Sequence, residues 1–271
     1  MKRSVGALGA VLVVCGVCLS PAATKEEVVK KLSEKKPSAK CEVILKVRST
    51  GDGEAKTAME AAGTAWAKDS GLMKVQMQAT AEGKTHEIEY VLDGSAFWMR
   101  LDRGVALKCD LSALPEEWRK MLSTAGGQNL TPSAQSVELV TMEEKERDGT
   151  KYYVLDITKA GIALFKESPF FVLMKGREAD HPAKLVKRIQ LWVDAERMEP
   201  ARFELAGGEG TREGELILDF KNWDYADLPK DLFVMKVPEG AEVQDITEVV
   251  KRMMEMVAQM KRMQAQEKGA L

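Results

Sequence analysis

Apolar and polar residues alternate repeatedly between Lys184 and Val243, and this alternation predicts four consecutive β-strands. The predicted strands cover Leu185–Asp194, 200–205, Glu215–Phe220 and Leu232–Val237. Four glycines, which tolerate positive φ, are expected to form a turn before the third strand: Gly207, Gly208, Gly210 and Gly214. Because no segment of helix length separates these strands, they are expected to pair antiparallel and to form the scaffold of the fold.

The same period of two predicts strands across the first half of the chain: Cys41–Ser49, Leu72–Thr80, His86–Leu92, Phe97–Met99 and Val105–Leu111. Asp93 and Gly94 form a hairpin-turn signal between two of them. The segment Ala55–Lys68 is ambiguous, because its alanines favour a helix whereas Gly63, Thr64 and Trp66 favour a strand. A further hairpin is predicted from Ser136–Lys145 and Lys151–Ile157.

Three segments have the apolar spacing of amphipathic helices: Thr24–Lys35, Leu114–Leu122 and Asp245–Glu267. Thr24 with Glu27, and Asp245 with Glu248, have the spacing of a capping box. Ile162–Met174 is predicted to be a loop or a short helix that lies on the sheet. These elements predict a mainly β (α+β) domain without an internal linker.

The N-terminus has the three parts of a secretory signal: a basic start, an apolar run and small residues at a cleavage position. We therefore expect residues 1–22 to be removed on export, residues 23–244 to form the domain, and residues 245–271 to form a Met-rich helix. Cys15 and Cys18 each follow a valine, which is a poor match to a lipoprotein signal, so cleavage is favoured over a lipid anchor. In the exported chain Cys41 and Cys109 could form a disulfide or remain two buried thiols.

Charge and motifs exclude several classes of function. The net charge of −2 gives no electrostatic footprint for nucleic acid. The two histidines, His86 and His181, have no Cys or His at metal-ligand spacing, and no nucleophile motif is present. The glycine run 207–214 lacks the spacing of a phosphate-binding loop. We expect neither an enzyme, nor a metal site, nor a cofactor.

What remains is apolar surface. Six side chains of two predicted strands would line one face of the sheet: Met73, Val75, Met77, Ile88, Tyr90 and Leu92. From the pattern alone, a closed core is favoured over a ligand cavity. The last helix carries an apolar stripe made of Ile246, Val249, Val250, Met253, Met254, Val257 and Met260. Docking of this stripe onto its own domain is favoured over a surface for a partner or for lipid.

The chain resembles the LolA-type carriers of outer-membrane lipoproteins. The run Gly63–Lys68, followed by Leu72–Met77 and then by Asp93-Gly94 and Trp98, is similar to a G-x-x-W-x-K…DG-x-x-x-W signature. The run Phe233–Val243 is similar to the family's F-x-x-x-x-P-x-G-x-x-V ending. The signal peptide, the first helix and the strand order agree as well, so the resemblance covers about Thr24–Asp245 and is weakest over Ser112–Ala183.

The resemblance implies one strongly curved, unclosed antiparallel half-barrel sheet with helices covering its concave face. That face would bind the acyl chains of lipoproteins or phospholipid in the periplasm, with an inner-membrane export complex and an outer-membrane acceptor as partners of a monomer. The implied cavity residues are Trp66, Met73, Val75, Met77, Ile88, Tyr90, Leu92, Trp98, Ile189 and Leu191. If the last helix instead served as a partner or lipid surface, the contacting residues would be Ile246, Val250, Met253, Met254, Val257 and Met260.

One position departs from the family pattern. The carriers have Trp-x-Lys-Arg-Pro, whereas Lys68 is followed here by Asp69 and Ser70. The family's Arg is tied to lid closure and cargo transfer, so its replacement by Asp69 puts that transfer step in question. The alternative is a sensor or interaction module on the same fold, similar to the half-barrel domains of envelope-stress regulators, whose last helix docks on a partner.

Overall fold

The structure is a computed structural model that describes residues 23–34, 37–51, 54–68, 71–81, 83–102, 104–116, 119, 134–166, 186–209, 212–252, 254–256 and 259. The predicted signal segment, residues 1–22, lies outside these ranges. So do most of the predicted helix Leu114–Leu122, the part of Ile162–Met174 beyond Lys166, and Met253, Val257 and Met260 of the last helix.

The fold is built on one sheet of twelve strands. The strands are β1 (Ser38–Gly51), β2 (Glu54–Lys68), β3 (Leu72–Ala81), β4 (Lys84–Asp93), β5 (Ala96–Leu101), β6 (Ala106–Asp110), β7 (Val140–Arg147), β8 (Thr150–Ile157), β9 (Val186–Asp194), β10 (Glu199–Glu209), β11 (Arg212–Asp224) and β12 (Val243–Asp245). Their order across the sheet is β12-β6-β5-β4-β3-β2-β1-β11-β10-β9-β8-β7. All pairs are antiparallel except β12 with β6, which is parallel. The antiparallel prediction is thus confirmed for the meander, and β12 is an addition that the sequence pattern did not predict.

Few helices accompany the sheet. They are α1 (Lys25–Ser33), α2 (Lys159–Lys166) and the 3-10 helices Leu111–Ala113, Ala134–Leu139 and Lys230–Phe233. Residues 247–252 and 254–256 are also helical and are called the C-terminal helix below. The capping box of α1 is confirmed, because the Thr24 hydroxyl accepts from the Glu27 N–H and the Glu27 carboxylate accepts from the Thr24 N–H. None of the helices in the described ranges has an apolar run long enough to cross a bilayer.

The cross-strand register divides the sheet into two faces of different chemistry. On the apolar face, one row of directly paired residues crosses seven strands: Leu155, Leu191, Phe203, Leu218, Leu45, Ala61 and Ala79. On the opposite, charged face, cross-strand ion pairs follow one another: Arg202–Asp219, Arg188–Glu204, Arg48–Glu215, Lys46–Glu60, Lys74–Glu89 and Arg100–Glu89. Successive side chains of a strand point to opposite faces, so the alternation in the sequence produces this division.

Helices α1 and α2 cover one end of the apolar face. Val28, Val29 and Leu32 of α1 are buried in one cluster with Leu155 and Leu191. Ile162 of α2 is buried with Val186 and Ile189. The α2 helix therefore confirms the prediction of a short helix on the sheet at the start of Ile162–Met174.

The C-terminal helix covers the other end of the same face. Its Met254 is buried in one cluster with Leu92, Cys109, Leu111 and Leu114, and Ile246 and Val250 pack against that cluster. Three hydrogen bonds fix the start of the helix: Thr247 N–H to Asp245 Oδ1 (2.8 Å), Ile246 N–H to the Lys108 carbonyl (2.8 Å) and Asp110 N–H to Thr247 Oγ1 (2.9 Å). The favoured prediction, docking onto its own domain, is confirmed for these residues.

Several boundaries differ from the prediction. Leu232–Val237 is not a strand, because Lys230–Phe233 forms a 3-10 helix and the residues after it do not join the sheet. Phe233 and Met235 are buried while Val234 is 53% exposed, so the period of two describes a packed, unpaired segment between Pro229 and Pro238. The strand predicted over Ser136–Lys145 begins only at Val140, after a 3-10 helix. The glycine cluster lies mainly within β10 and β11, because these strands continue to Glu209 and from Arg212.

The ambiguous segment is a strand along its whole length. β2 begins at Glu54, and it pairs with β1 and β3. Pairing on both sides satisfies its backbone, and this tertiary context outweighs the helix propensity of its alanines.

Candidate functional site

The apolar face is only partly covered between its two covered ends. There, large apolar side chains are half-buried, and they belong to strands on both sides of β2: Leu45, Val47, Val75, Met77, Ile88, Tyr90, Met99, Leu216 and Leu218. We call this set the open strip. Val75, Met77, Ile88 and Tyr90 of the predicted site lie together in it, because Val75 pairs with Tyr90 and Met77 pairs with Ile88.

A line of small residues runs through the open strip. On the apolar face β2 presents Ala61, Gly63, Ala65 and Ala67, whereas its neighbours present larger side chains such as Leu45 and Val75. Gly63, Ala65 and Ala67 are half-buried, whereas Ala61 is 1% exposed, and we call the half-buried stretch Gly63–Ala67 the trough. It spans four residues, which at about 3.4 Å each is roughly 14 Å. The sequence prediction missed these residues, although small residues at every second position were the signal that could have identified them.

Four predicted site residues belong to the closed ends of the face. Ile189 and Leu191 are 1% and 6% exposed, and they are packed beneath α2 and α1 respectively. Leu92 is 2% exposed and lies in the cluster of the C-terminal helix, with Met73 packed against it. At these positions the structure agrees with the closed core that the sequence pattern alone favours.

Two predicted site residues lie on the wrong face. Trp66 pairs with Lys74, and Trp98 pairs with Val91, so both tryptophans share the charged face rather than the face of Met73 and Val75. They cannot line one cavity with the residues of the open strip. The physical reason is that successive side chains of a strand point to opposite faces. Each tryptophan is separated by an odd number of positions from the apolar-face residues of its own strand.

Trp98 instead belongs to the turn between β4 and β5. Asp93 Oδ1 accepts from the N–H groups of Ser95 (2.8 Å) and Ala96 (2.7 Å), and Asp93 Oδ2 accepts from Trp98 Nε1 (2.9 Å). Gly94 has a φ of 88°, a conformation that suits glycine. Burial of Asp93 opposes its ionisation, but these hydrogen bonds outweigh burial and hold its pKa below the ordinary value. The DG-x-x-x-W motif therefore builds a hairpin.

Lys68, the last residue of the G-x-x-W-x-K motif, also has a structural contact. Its Nζ lies 2.6 Å from Asp227 Oδ1 and donates to the Leu228 carbonyl as well. Asp227 follows β11, so the lysine joins the end of β2 to the segment that leads to the 3-10 helix Lys230–Phe233. That helix contacts β3 and β4. Asp69, the position of the family's Arg, lies outside the described residues.

The charged face carries open grooves whose mixed linings include many charged residues. One of about 550 Å³ is lined by Thr64, Trp66, Gln76, Gln78, Glu87, Glu89 and Arg100, together with Ala62, Gly63, Met77 and Ile88. Another of about 340 Å³ lies among Arg48, Lys187, Arg188, Glu213 and Glu215 near the β10–β11 turn. Their charged side chains are already joined in ion pairs such as Arg188–Glu215 and Lys187–Glu213. These grooves do not have the chemistry of an acyl-chain site.

The structure decides between the two alternatives for the cysteines. Cys41 in β1 and Cys109 in β6 are free and buried. Burial raises the pKa of the Cys41 thiol to about 12, and burial is also the main cause of the raised pKa of Cys109. His86 contacts Asp102 (Nδ1 to Oδ2, 2.9 Å), and among the described residues no group of His, Cys, Asp and Glu could hold a metal ion.

Comparison with known proteins finds similarity at the level of structure. No protein-family model matches the chain, and no curated protein matches it. A LolA superfamily protein from Nitrosomonas europaea is 14% identical, with 79% of this chain and 99% of that chain covered and a TM-score of 0.30. An outer membrane lipoprotein-sorting protein domain from Vibrio parahaemolyticus is 9% identical, with 77% and 95% covered and a TM-score of 0.30. MucB of Pseudomonas aeruginosa, solved with MucA, is 13% identical, with 79% and 62% covered and a TM-score of 0.33. The chain is similar in structure to these proteins.

Proposed function

We propose that this chain is an exported, periplasmic carrier that binds acyl chains of lipoproteins or phospholipid on the apolar face of a curved half-barrel sheet. The ligand occupies the trough of β2 within the open strip, and the helices at both ends of the face shield it from water. The action is physical binding and release, without covalent chemistry or a cofactor. Its partners are an inner-membrane export complex and an outer-membrane acceptor, and the carrier works as a monomer.

The observation that carries this proposal is the size pattern on the apolar face. Ala65 and Ala67 are half-buried small residues that pair with the larger, half-buried Val75 and Met73, where a self-filled core would place large side chains on β2 as well. The trough is roughly 14 Å long at about 3.4 Å per residue. Half of a hydrocarbon core of about 30 Å, or roughly 15 Å, is the length of one acyl chain in a bilayer leaflet. The trough therefore accommodates a chain of that length.

Burial of hydrocarbon provides the affinity. Each methylene removed from water contributes about 0.8 kcal/mol, so a chain of ten or more buried methylenes supplies enough free energy to offset the cost of association. Because this term is nonspecific, it suits a carrier that accepts different lipids and passes them on. The cross-strand ion pairs Lys46–Glu60, Arg48–Glu215 and Arg202–Asp219 lie on the opposite face and do not take part in this binding.

The first test is native mass spectrometry of the mature protein, exposed to a synthetic triacylated lipopeptide. A complex with the added mass of one lipopeptide is expected. A protein that stays free of lipid, both after purification from the periplasm and after this exposure, would contradict the proposal.

The trough itself is tested by filling it. Ala65→Leu places a larger side chain between Cys41 and Val75, which are the cross-strand neighbours of Ala65. We expect at least tenfold weaker binding of the lipopeptide, because the added side chain occupies the ligand's volume. Ala62→Leu is the matched control, since Ala62 is exposed on the charged face of the same strand. Binding is measured by titration calorimetry, with urea unfolding as the check on stability; equal affinities for the two variants would locate the ligand elsewhere.

A second candidate function, docking of a protein partner, is favoured by the outer side of the C-terminal helix. Val249 is 57% and Met256 is 44% exposed, and the two residues stand two turns apart on one side. Val249 was predicted to belong to the packed stripe, and its exposure corrects that assignment. Deleting the helix would uncover the Leu92 cluster, so the sharper test is Val249→Ser combined with Met256→Ser. If this double variant lost binding to a purified protein partner while its affinity for lipid stayed unchanged, docking would be supported.

A further inference from the structure

We infer that Met254 is a specificity-determining residue that closes one end of the acyl-chain site and so limits the length of chain that the site accepts. This inference rests on the proposed function, because it concerns the same trough. It concerns the C-terminal helix, which is not part of the family's minimal pattern and for which no role in ligand selection follows from the resemblance.

The first step is that the Ala67 end of the trough lies beside a residue that packs against the cluster of the C-terminal helix. Ala67, the last small residue of the trough, pairs with Met73 of β3. Met73 packs against the buried cluster that contains Met254. A ligand chain that ends at Ala67 therefore has Met73 beside it, and the Met254 cluster lies beyond Met73 on β4 and β6.

The second step is that the open strip continues into the same cluster on β4 and β5. Tyr90 of the open strip stacks on Phe97, with ring centroids 6.1 Å apart and planes inclined by 23°. Phe97 packs against the cluster and pairs with Leu92, which belongs to it. The open strip thus borders on the side chains around Met254 through Phe97 as well as through Met73.

The third step is that the end is closed by the helix and held in place. Met254 is 4% exposed, and Leu111 and Leu114 of the same cluster are 5% and 3% exposed, so no space is open to water there. The hydrogen bonds of Ile246 to Lys108 and of Thr247 to Asp110 anchor the helix to β6. Methionine is flexible and unbranched, so at this place it forms a boundary that a shorter side chain would move outward.

The test is the chain-length profile of binding. The full mature protein is titrated with saturated lysophosphatidylcholines from decanoyl to stearoyl, below the concentration at which each forms micelles. In Met254→Ala, loss of the terminal three heavy atoms should move the optimum to a chain longer by about two methylenes. At about 0.8 kcal/mol per methylene, the longer ligand gains roughly tenfold in affinity. Met256→Ala on the exposed side of the same helix is the control, with an unchanged optimum.

Each outcome decides. A shifted optimum in Met254→Ala, with the control unshifted, supports the inference. An unshifted optimum in a folded Met254→Ala protein that still binds overturns it and leaves the carrier proposal standing. Failure of the unaltered protein to bind any member of the series overturns the proposed function itself. If Met254→Ala does not fold, Val250→Ala, at a half-buried position against the same cluster, must show a smaller shift in the same direction; no shift there overturns the inference.

Discussion

Glu89 shows how single residues on the charged face combine burial with charge. Its side chain is 6% exposed, and its carboxylate accepts from Lys74 Nζ at 3.0 Å, Arg100 Nη2 at 2.7 Å and Gln76 Nε2 at 2.9 Å. Burial alone would raise its pKa, but the hydrogen bonds from Arg100, Lys74 and Gln76 prevail and lower it. The carboxylate is thereby kept ionised between two cations.

The lowered pKa predicts a pH-dependent contribution to stability. Because the folded pKa lies below the unfolded value of about 4.3, the contribution is present above that value and is lost as the pH falls through the folded pKa. Glu89→Gln should therefore reduce the free energy of unfolding by about 3 kcal/mol at neutral pH, since it leaves Lys74 buried with a weaker partner. Urea unfolding at neutral pH and in acid should show this deficit shrinking in acid.

The control is Glu60→Gln, because Glu60 is 54% exposed in its ion pair with Lys46. Solvent screens such a pair, so a change below about 1 kcal/mol is expected at either pH. A deficit in Glu89→Gln that stays constant from neutral to acid pH would show that the charge of Glu89 does not stabilise the fold.

Among the elements, β2 depends on the close approach of its neighbour. A Cβ at Gly63 would lie 1.8 Å from the Gln76 carbonyl oxygen and 2.6 Å from the Met77 Cα of β3. Both atoms belong to the backbone, so the two strands would have to separate to admit a side chain. This is why a glycine stands in the middle of a long central strand, where it would otherwise weaken the strand.

Gly63→Ala is therefore expected to destabilise the protein by about 2 kcal/mol, within the range seen for overpacked sites. Gly71→Ala is the matched control, because a Cβ at Gly71 meets nothing within 4 Å. Urea unfolding of both variants measures the difference. If the two variants were equally stable, the contact between β2 and β3 would have to be looser than the structure shows.

The elements also show what the sequence could and could not predict. Regular alternation located β1, β3, β4, β5 and the β7–β8 hairpin, because their faces differ in polarity along most of their length. It did not locate β12, whose three residues are all exposed. It misjudged Leu232–Val237, because alternate burial needs only an extended chain packed on one side and does not require a partner strand.

The candidate site was predictable in part for the same reason. Parity placed Val75, Met77, Ile88 and Tyr90 together, as the register confirms. Trp66 and Trp98 were assigned through motifs whose structural roles the sequence does not reveal. Which part of the face stays open depends on where α1, α2 and the C-terminal helix lie. Contacts between elements distant in sequence decide that, and a periodic pattern carries no information about them.

In the whole molecule, the charged face and the apolar face of the sheet have different roles. The ion pairs of the charged face span β9 to β5 and hold neighbouring strands in register. Because these ion pairs contribute part of the stability of the sheet, the centre of the apolar face can present small side chains without loss of the fold. The proposed binding surface is thus stabilised by ion pairs on the opposite face of the same sheet.

The position of β1 between β2 and β11 has a consequence for the folding of the protein during its synthesis. Val43 pairs with Phe220, and Arg48 pairs with Glu215, so residues far apart in the sequence must meet before β1 gains its second neighbour. Contacts so distant in sequence are formed late and slow the folding reaction. A nascent chain consequently leaves one edge of β1 unpaired until β11 has been synthesised, and an exposed strand edge favours aggregation. The order of synthesis thus makes the unfinished chain more prone to aggregation than the folded protein.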